Sequence, residues 1–122
     1  MKDLKISKEL IKAVLQKETE ILSKDFNFTI NEDYIEFSDD GEIQFEYCIY
    51  KFAFKCKEWA LSNGHYLKSR GVNILCKESM PKCEVEYIDK NNMFVSKDFY
   101  SNTETEAIIK ACTYILNNLS NK

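Results

Sequence analysis

A chain of 122 residues with 44% apolar and 13% aromatic side chains can fill the core of one domain of ordinary size. One proline and three glycines exclude long disordered linkers. A formal net charge of −3 excludes a global attraction to nucleic acid or to an anionic membrane.

That small total hides a strong segregation. Residues 1–50 carry 6 Lys against 12 acids, residues 51–82 carry 7 Lys/Arg against 2, and residues 83–122 carry 4 against 6. The regional balance is −6, +5 and −2, and eight acids with no base lie between Lys24 and Lys51. A nearly neutral protein with opposed patches can still select a charged partner.

The opening stretch MKDLKISKELIKAVL lacks the continuous apolar run of a signal peptide, and no stretch approaches a membrane span. Together with five cysteines, an odd number, this points to a cytoplasmic chain with free thiols.

In chain order, Ser7 is placed to cap a first helix that runs to about Gln16, with Leu10, Ile11, Val14 and Leu15 as its apolar stripe. Phe26–Ile30 alternates as a half-buried strand does, Asn31-Glu32-Asp33 reads as a turn, and Tyr34–Phe37 reads as the returning strand. Glu20–Ser23 reads as a short strand or a fraying helix end. Ser38-Asp39-Asp40-Gly41 is expected to turn the chain into a central helix over Ile43–Gly64, capped by Asp39 or Asp40. Its apolar face would comprise Phe45, Cys48, Ile49, Phe52, Ala53, Cys56, Trp59 and Ala60, with Lys51, Lys55 and Glu58 opposite. Asn63-Gly64 supplies the stop.

Beyond Gly64 the period changes to that of strands. His65–Ser69 and Val72–Lys77 read as extended, interrupted at Arg70-Gly71. Cys83, Val85 and Tyr87 alternate with glutamates, Asp89–Asn92 forms a turn, and Met93–Phe99 returns. Thr103 and Glu106 have capping-box spacing ahead of a last helix with Ile108, Ala111, Cys112, Ile115, Leu116 and Leu119 facing inward. The expected fold class is α+β. One domain spans 1–122: an N-terminal helix-hairpin unit over 1–41, then an α-β-β-β-α core over 42–122 whose antiparallel sheet carries both helices on one face.

No catalytic, cofactor or metal motif stands out. Cys76 and Cys83 are six residues apart and His65 is the only histidine, which does not make the paired ligand spacing of a zinc site. His65 reads as a surface residue after a helix stop, and Asp39-Asp40-Gly41-Glu42 lacks the ligand spacing of a calcium loop. No catalytic residue and no cofactor are expected.

Two charged surfaces remain. Glu32, Asp33, Glu36, Asp39, Asp40, Glu42 and Glu46 can engage a basic groove on a protein partner, or can protect a sheet edge. Lys51, Lys55, Lys68 and Arg70, with Tyr50, His65 and Tyr66 nearby, form a dilute basic patch suited to nucleic acid or a nucleotide.

The helix-strand-strand-strand-helix order over 43–119 resembles the double-stranded RNA-binding domain, and TETEAIIKACTYILNNL is similar to that family's closing helix. Where the family carries a lysine cluster, this chain has Asn102, Thr103, Glu104, Thr105 and Glu106, and Met80-Pro81-Lys82 keeps only the proline of its loop. The resemblance implies the topology without the phosphate grip. CKEWALSNGHYL and TETEAIIKAC also resemble small phage and prophage proteins of α-β-β-β-α layout. That resemblance implies a mobile-element origin and a non-enzymatic accessory role, such as inhibiting a host defence protein. The expected function is non-catalytic binding of a host macromolecule through the acidic 25–46 segment.

Overall fold

A computed structural model describes residues 4–71 and 80–119. It is α+β, and its described strands form two antiparallel three-stranded sheets. The chain divides into two compact units, Met1–Lys55 and Cys56–Lys122.

In the first unit, helix α1 (Lys8–Val14) begins where Ser7 Oγ accepts from the Leu10 amide at 3.1 Å, and a short helix α2 (Gln16–Thr19) follows. The residues after α2, Glu20–Ser23, turn rather than extend. Strands β1 (Asn27–Asn31), β2 (Tyr34–Asp39) and β3 (Glu42–Cys48) then form a meander. Ile35 and Phe37 are fully buried on its inner face. Phe37 stacks on Phe45, 4.7 Å between ring centres, and meets Phe26 at 5.9 Å.

Strand β3 corrects the expected central helix. Ile43–Cys48 is extended, and helix α3 occupies only Ile49–Ser62. Asp40 and Gly41 therefore cap no helix. They take φ of +55° and +78° in the tight turn between β2 and β3. Paired positive φ values match the twist of a hairpin, and Asp-Gly adopts them readily. The register shifts between Phe37 and Ser38, so Phe37 faces Phe45 while Ser38 faces Ile43. This bulge at Gln44 turns Ile43 away from the core and leaves it 64% exposed. Cys48 lies on this strand and is half-buried, not on a helical stripe.

In the second unit, α3 ends as a Schellman motif. The His65 amide donates to Ala60 at 2.9 Å, the Gly64 amide donates to Leu61 at 3.0 Å, and Gly64 takes φ +86°. Strands β4 (Tyr66–Arg70), β5 (Lys82–Ile88) and β6 (Phe94–Tyr100) form the second meander. The expected strand over Val72–Lys77 lies outside the described residues. Asp89 Oδ1 accepts from the amides of Asn91 and Met93, both at 2.9 Å, which sets the β5–β6 turn.

Helix α4 (Glu104–Tyr114) runs on as a π-helical turn through Leu119 and lies across all three strands. Of its expected inward stripe, Ile108, Ala111, Cys112 and Ile115 are buried, together with Ala107 and Ile109, whereas Leu116 and Leu119 are half-buried. The Cys112 thiol donates to the Cys56 carbonyl at 3.5 Å, so α3 meets α4 at Cys56. Trp59 is half-buried.

Candidate functional site

The seven acidic residues singled out from the sequence all belong to the first unit and to one sheet. Between Asn27 and Cys48 every charged side chain is a carboxylate. Glu36 on β2 and Glu46 on β3 face each other directly on the outward side, with Thr29 of β1 beside Glu36. Neither glutamate makes an ion pair among the described residues. Glu32 and Asp33 form the turn at one end of β2, and Asp40 begins the turn at the other. Glu42 opens β3 opposite Asp39.

Two of the seven have structural duties. Asp39 accepts from the Ser23 hydroxyl at 2.5 Å and from the Ser23 amide at 2.8 Å, and these bonds hold its carboxyl below the usual aspartate range. Asp33 accepts from the Tyr50 hydroxyl at 3.2 Å, which raises the tyrosine, and its carbonyl accepts from the Ile49 amide at 2.9 Å. Glu32, Glu36, Asp40, Glu42 and Glu46 are left to define the acidic surface.

The basic residues do not assemble in the same way. Lys51 and Lys55 lie on the exposed side of α3 in the first unit. Lys68 and Arg70 lie on β4 in the second, on the sheet face away from α4. That face also carries Lys82, but Glu84, Glu86 and Asp98 share it. Lys68 pairs with Glu86 at 3.3 Å, which raises the lysine, and Lys82 pairs with Asp98 at 3.8 Å. The formal charges on the face cancel.

His65 is not the surface residue expected. It is 8% exposed, packs 5.9 Å from the Tyr87 ring, and its Nδ1 has no hydrogen-bond partner among the described residues. Burial lowers its pKa. The Schellman geometry explains this, because the residue after the glycine is drawn back against the helix. Cys56, Cys83 and Cys112 are likewise buried. Burial pushes the Cys83 thiol up to about 12 and the Cys56 thiol well above its ordinary range. Such thiols are poor nucleophiles. No cluster of three metal-ligating side chains occurs among the described residues, and Cys76 lies outside them. No described helix is long and apolar enough to cross a membrane.

Comparison with family models, curated proteins and solved structures finds no match to this chain. The surfaces themselves carry the functional argument.

Proposed function

We propose that this protein is a non-catalytic binding module that engages a basic protein surface through the outward face and turns of its first sheet. One observation carries the reading: a three-stranded sheet whose charged side chains are all carboxylates, with Glu36 and Glu46 placed opposite each other. Like charges across a ladder destabilise a sheet, so a bound cation from a partner would relieve a cost already present. Electrostatic matching of this kind speeds association and sets specificity more than it adds affinity. The partner class is a host macromolecule, and the protein acts on it as a phage-type accessory factor that inhibits host defence. The sequence resemblance supports that part of the reading.

Asp33 and Asp39 should be spared when the proposal is tested, because they tie the turns to Tyr50 and Ser23. Reversal of Glu32, Glu36, Glu42 and Glu46 to lysine should abolish capture of partners from host lysate while the circular dichroism spectrum stays the same. Retention of the same partners at the same salt concentration would end this reading. Nucleic-acid binding through Lys51, Lys55, Lys68 and Arg70 has weaker support, since Lys68 is engaged by Glu86 and three carboxylates share its face.

A further inference from the structure

The sheet face of the second unit away from α4 changes character along its length. Tyr66 on β4 pairs with Glu86, and Ile88, two residues further along β5, pairs with Phe94 of β6. Tyr66 and Ile88 are thus diagonal neighbours, within reach of each other for side chains of this size. Leu61, near the end of α3, completes the group. These four side chains line one cleft of about 360 Å³, together with Gly64, Glu86 and Tyr87. Phe94 is 65% exposed, Leu61 62%, Ile88 58% and Tyr66 51%. Large apolar side chains grouped in this way on a surface mark an interaction site. Arg70 and Lys82, between which the chain leaves and re-enters the sheet, pair at its opposite end, about 13 Å along β4 from Tyr66.

We propose that this apolar end is the contact between two copies of the chain, related by a two-fold axis that passes through it. In a two-fold interface each patch meets its own image, so a patch of one charge sign repels itself. The acidic sheet of the first unit fails that condition, because Glu36 and Glu46 would meet more carboxylates. The apolar end satisfies it. Its one carboxylate, Glu86, is held by Lys68 at 3.3 Å and needs no cation from a partner. A foreign partner of either sign gains nothing from a face on which Lys68, Arg70 and Lys82 offset Glu84, Glu86 and Asp98. The area is sufficient for a second copy. Large side chains bury roughly 150–250 Å² each, and half or more of each is open here, so the four offer about 400 Å² per copy. A two-fold pair buries about 800 Å² from them alone, and their rim brings the total to the roughly 1,000 Å² of a specific interface. The cleft lets Leu61 and Phe94 of the two copies interdigitate reciprocally. The contact lies wholly in the second unit and does not depend on the acidic sheet of the first.

Sedimentation equilibrium of the full chain from about 1 μM to 1 mM should show the mass rising from one chain to two. Leu61→Glu and Phe94→Glu each bring a carboxylate against its own image and should weaken dimerisation by about tenfold or more. Both positions are exposed in the single chain, so the melting temperature at the dilute end should not change. Glu36→Lys, on the first sheet, should leave the dimer intact, which separates this contact from one made by the acidic face. Dilution of the unsubstituted chain followed by NMR should move the side-chain signals of Leu61, Tyr66, Ile88 and Phe94. That arm reads the contact without any substitution. The proposal is overturned if the mass stays that of one chain up to about 1 mM, if the dimer survives both glutamate substitutions, or if the dilution shifts fall on other residues. A single chain that instead binds a foreign protein through this cleft, with binding lost in Leu61→Glu, would overturn the second copy in favour of that partner.

Discussion

Glu36 and Glu46 stand directly across the β2–β3 ladder, two carboxylates on adjacent strands with no described cation between them. Like charges in that position destabilise the ladder, whereas an opposite-charge pair contributes about 0.2–1 kcal/mol. Glu46→Lys converts repulsion into attraction and should stabilise the chain by an amount in that range. Urea denaturation at two salt concentrations checks it, because added salt should shrink the gain. The same substitution should weaken binding to a basic partner. A variant that is more stable and less active would mark the pair as kept for function, and one that is less stable would show that the glutamates do not repel.

His65 should make the fold sensitive to mild acid. Its pKa is lowered in the folded chain because burial disfavours the charged ring. The unfolded chain binds a proton near its ordinary value of about 6.5. Stability from the neutral ring is therefore fully present above that pH and is lost as pH falls toward the folded-state pKa. As this is the only histidine, His65→Phe should flatten the slope of stability between about pH 6.5 and 5. An unchanged slope in that variant would assign the acid limb to carboxylates.

Much of the fold is legible from local chemistry, and each departure from it has its own physical cause. Ile43, Phe45 and Tyr47 alternate with Glu42, Gln44 and Glu46, which is a strand signal. Phe45, Cys48, Ile49 and Phe52 also fit a helical stripe, so two periods overlap where β3 passes into α3. The arbiter was Asp40-Gly41, whose hairpin preference outranks a role as helix cap. The Gly64 stop is readable from sequence, but the burial of His65 depends on the Schellman turn that draws the next residue back against the helix. The acidic residues could be picked out by sign alone. That Glu36 faces Glu46 while Asp39 is held by Ser23 depends on register, which a bulge alters and composition does not reveal.

The entry to α4 should be held by one hydroxyl. Thr103 Oγ accepts from the Glu106 amide at 3.1 Å, and Glu106 also accepts from the Ser101 hydroxyl at 3.0 Å. Thr103→Ala should cost about 1 kcal/mol, whereas Thr103→Ser or Thr103→Asp should restore most of it. Thermal denaturation of the three variants decides the point. Equal losses in all three would show that the position matters through packing of the threonine methyl group instead of capping.

The buried thiols should limit the fold at the alkaline end. An exposed cysteine ionises near about 8.5, so the unfolded chain loses protons there. Cys83 holds its proton up to about 12, and Cys56 is raised as well, because burial among apolar groups disfavours a thiolate. Stability from the neutral thiols is therefore complete below the unfolded value and declines as pH rises above it. Their reactivity should follow the same logic. Alkylation by N-ethylmaleimide at neutral pH, followed by peptide mass spectrometry, should leave Cys56, Cys83 and Cys112 unmodified on the timescale at which half-buried Cys48 reacts. Urea below the unfolding midpoint should accelerate all three together, because they sit in one core and are exposed by one opening. Independent rates would mean that α3, β5 and α4 do not open as a unit. Fast alkylation of any one in the native chain would return that thiol to consideration as a nucleophile.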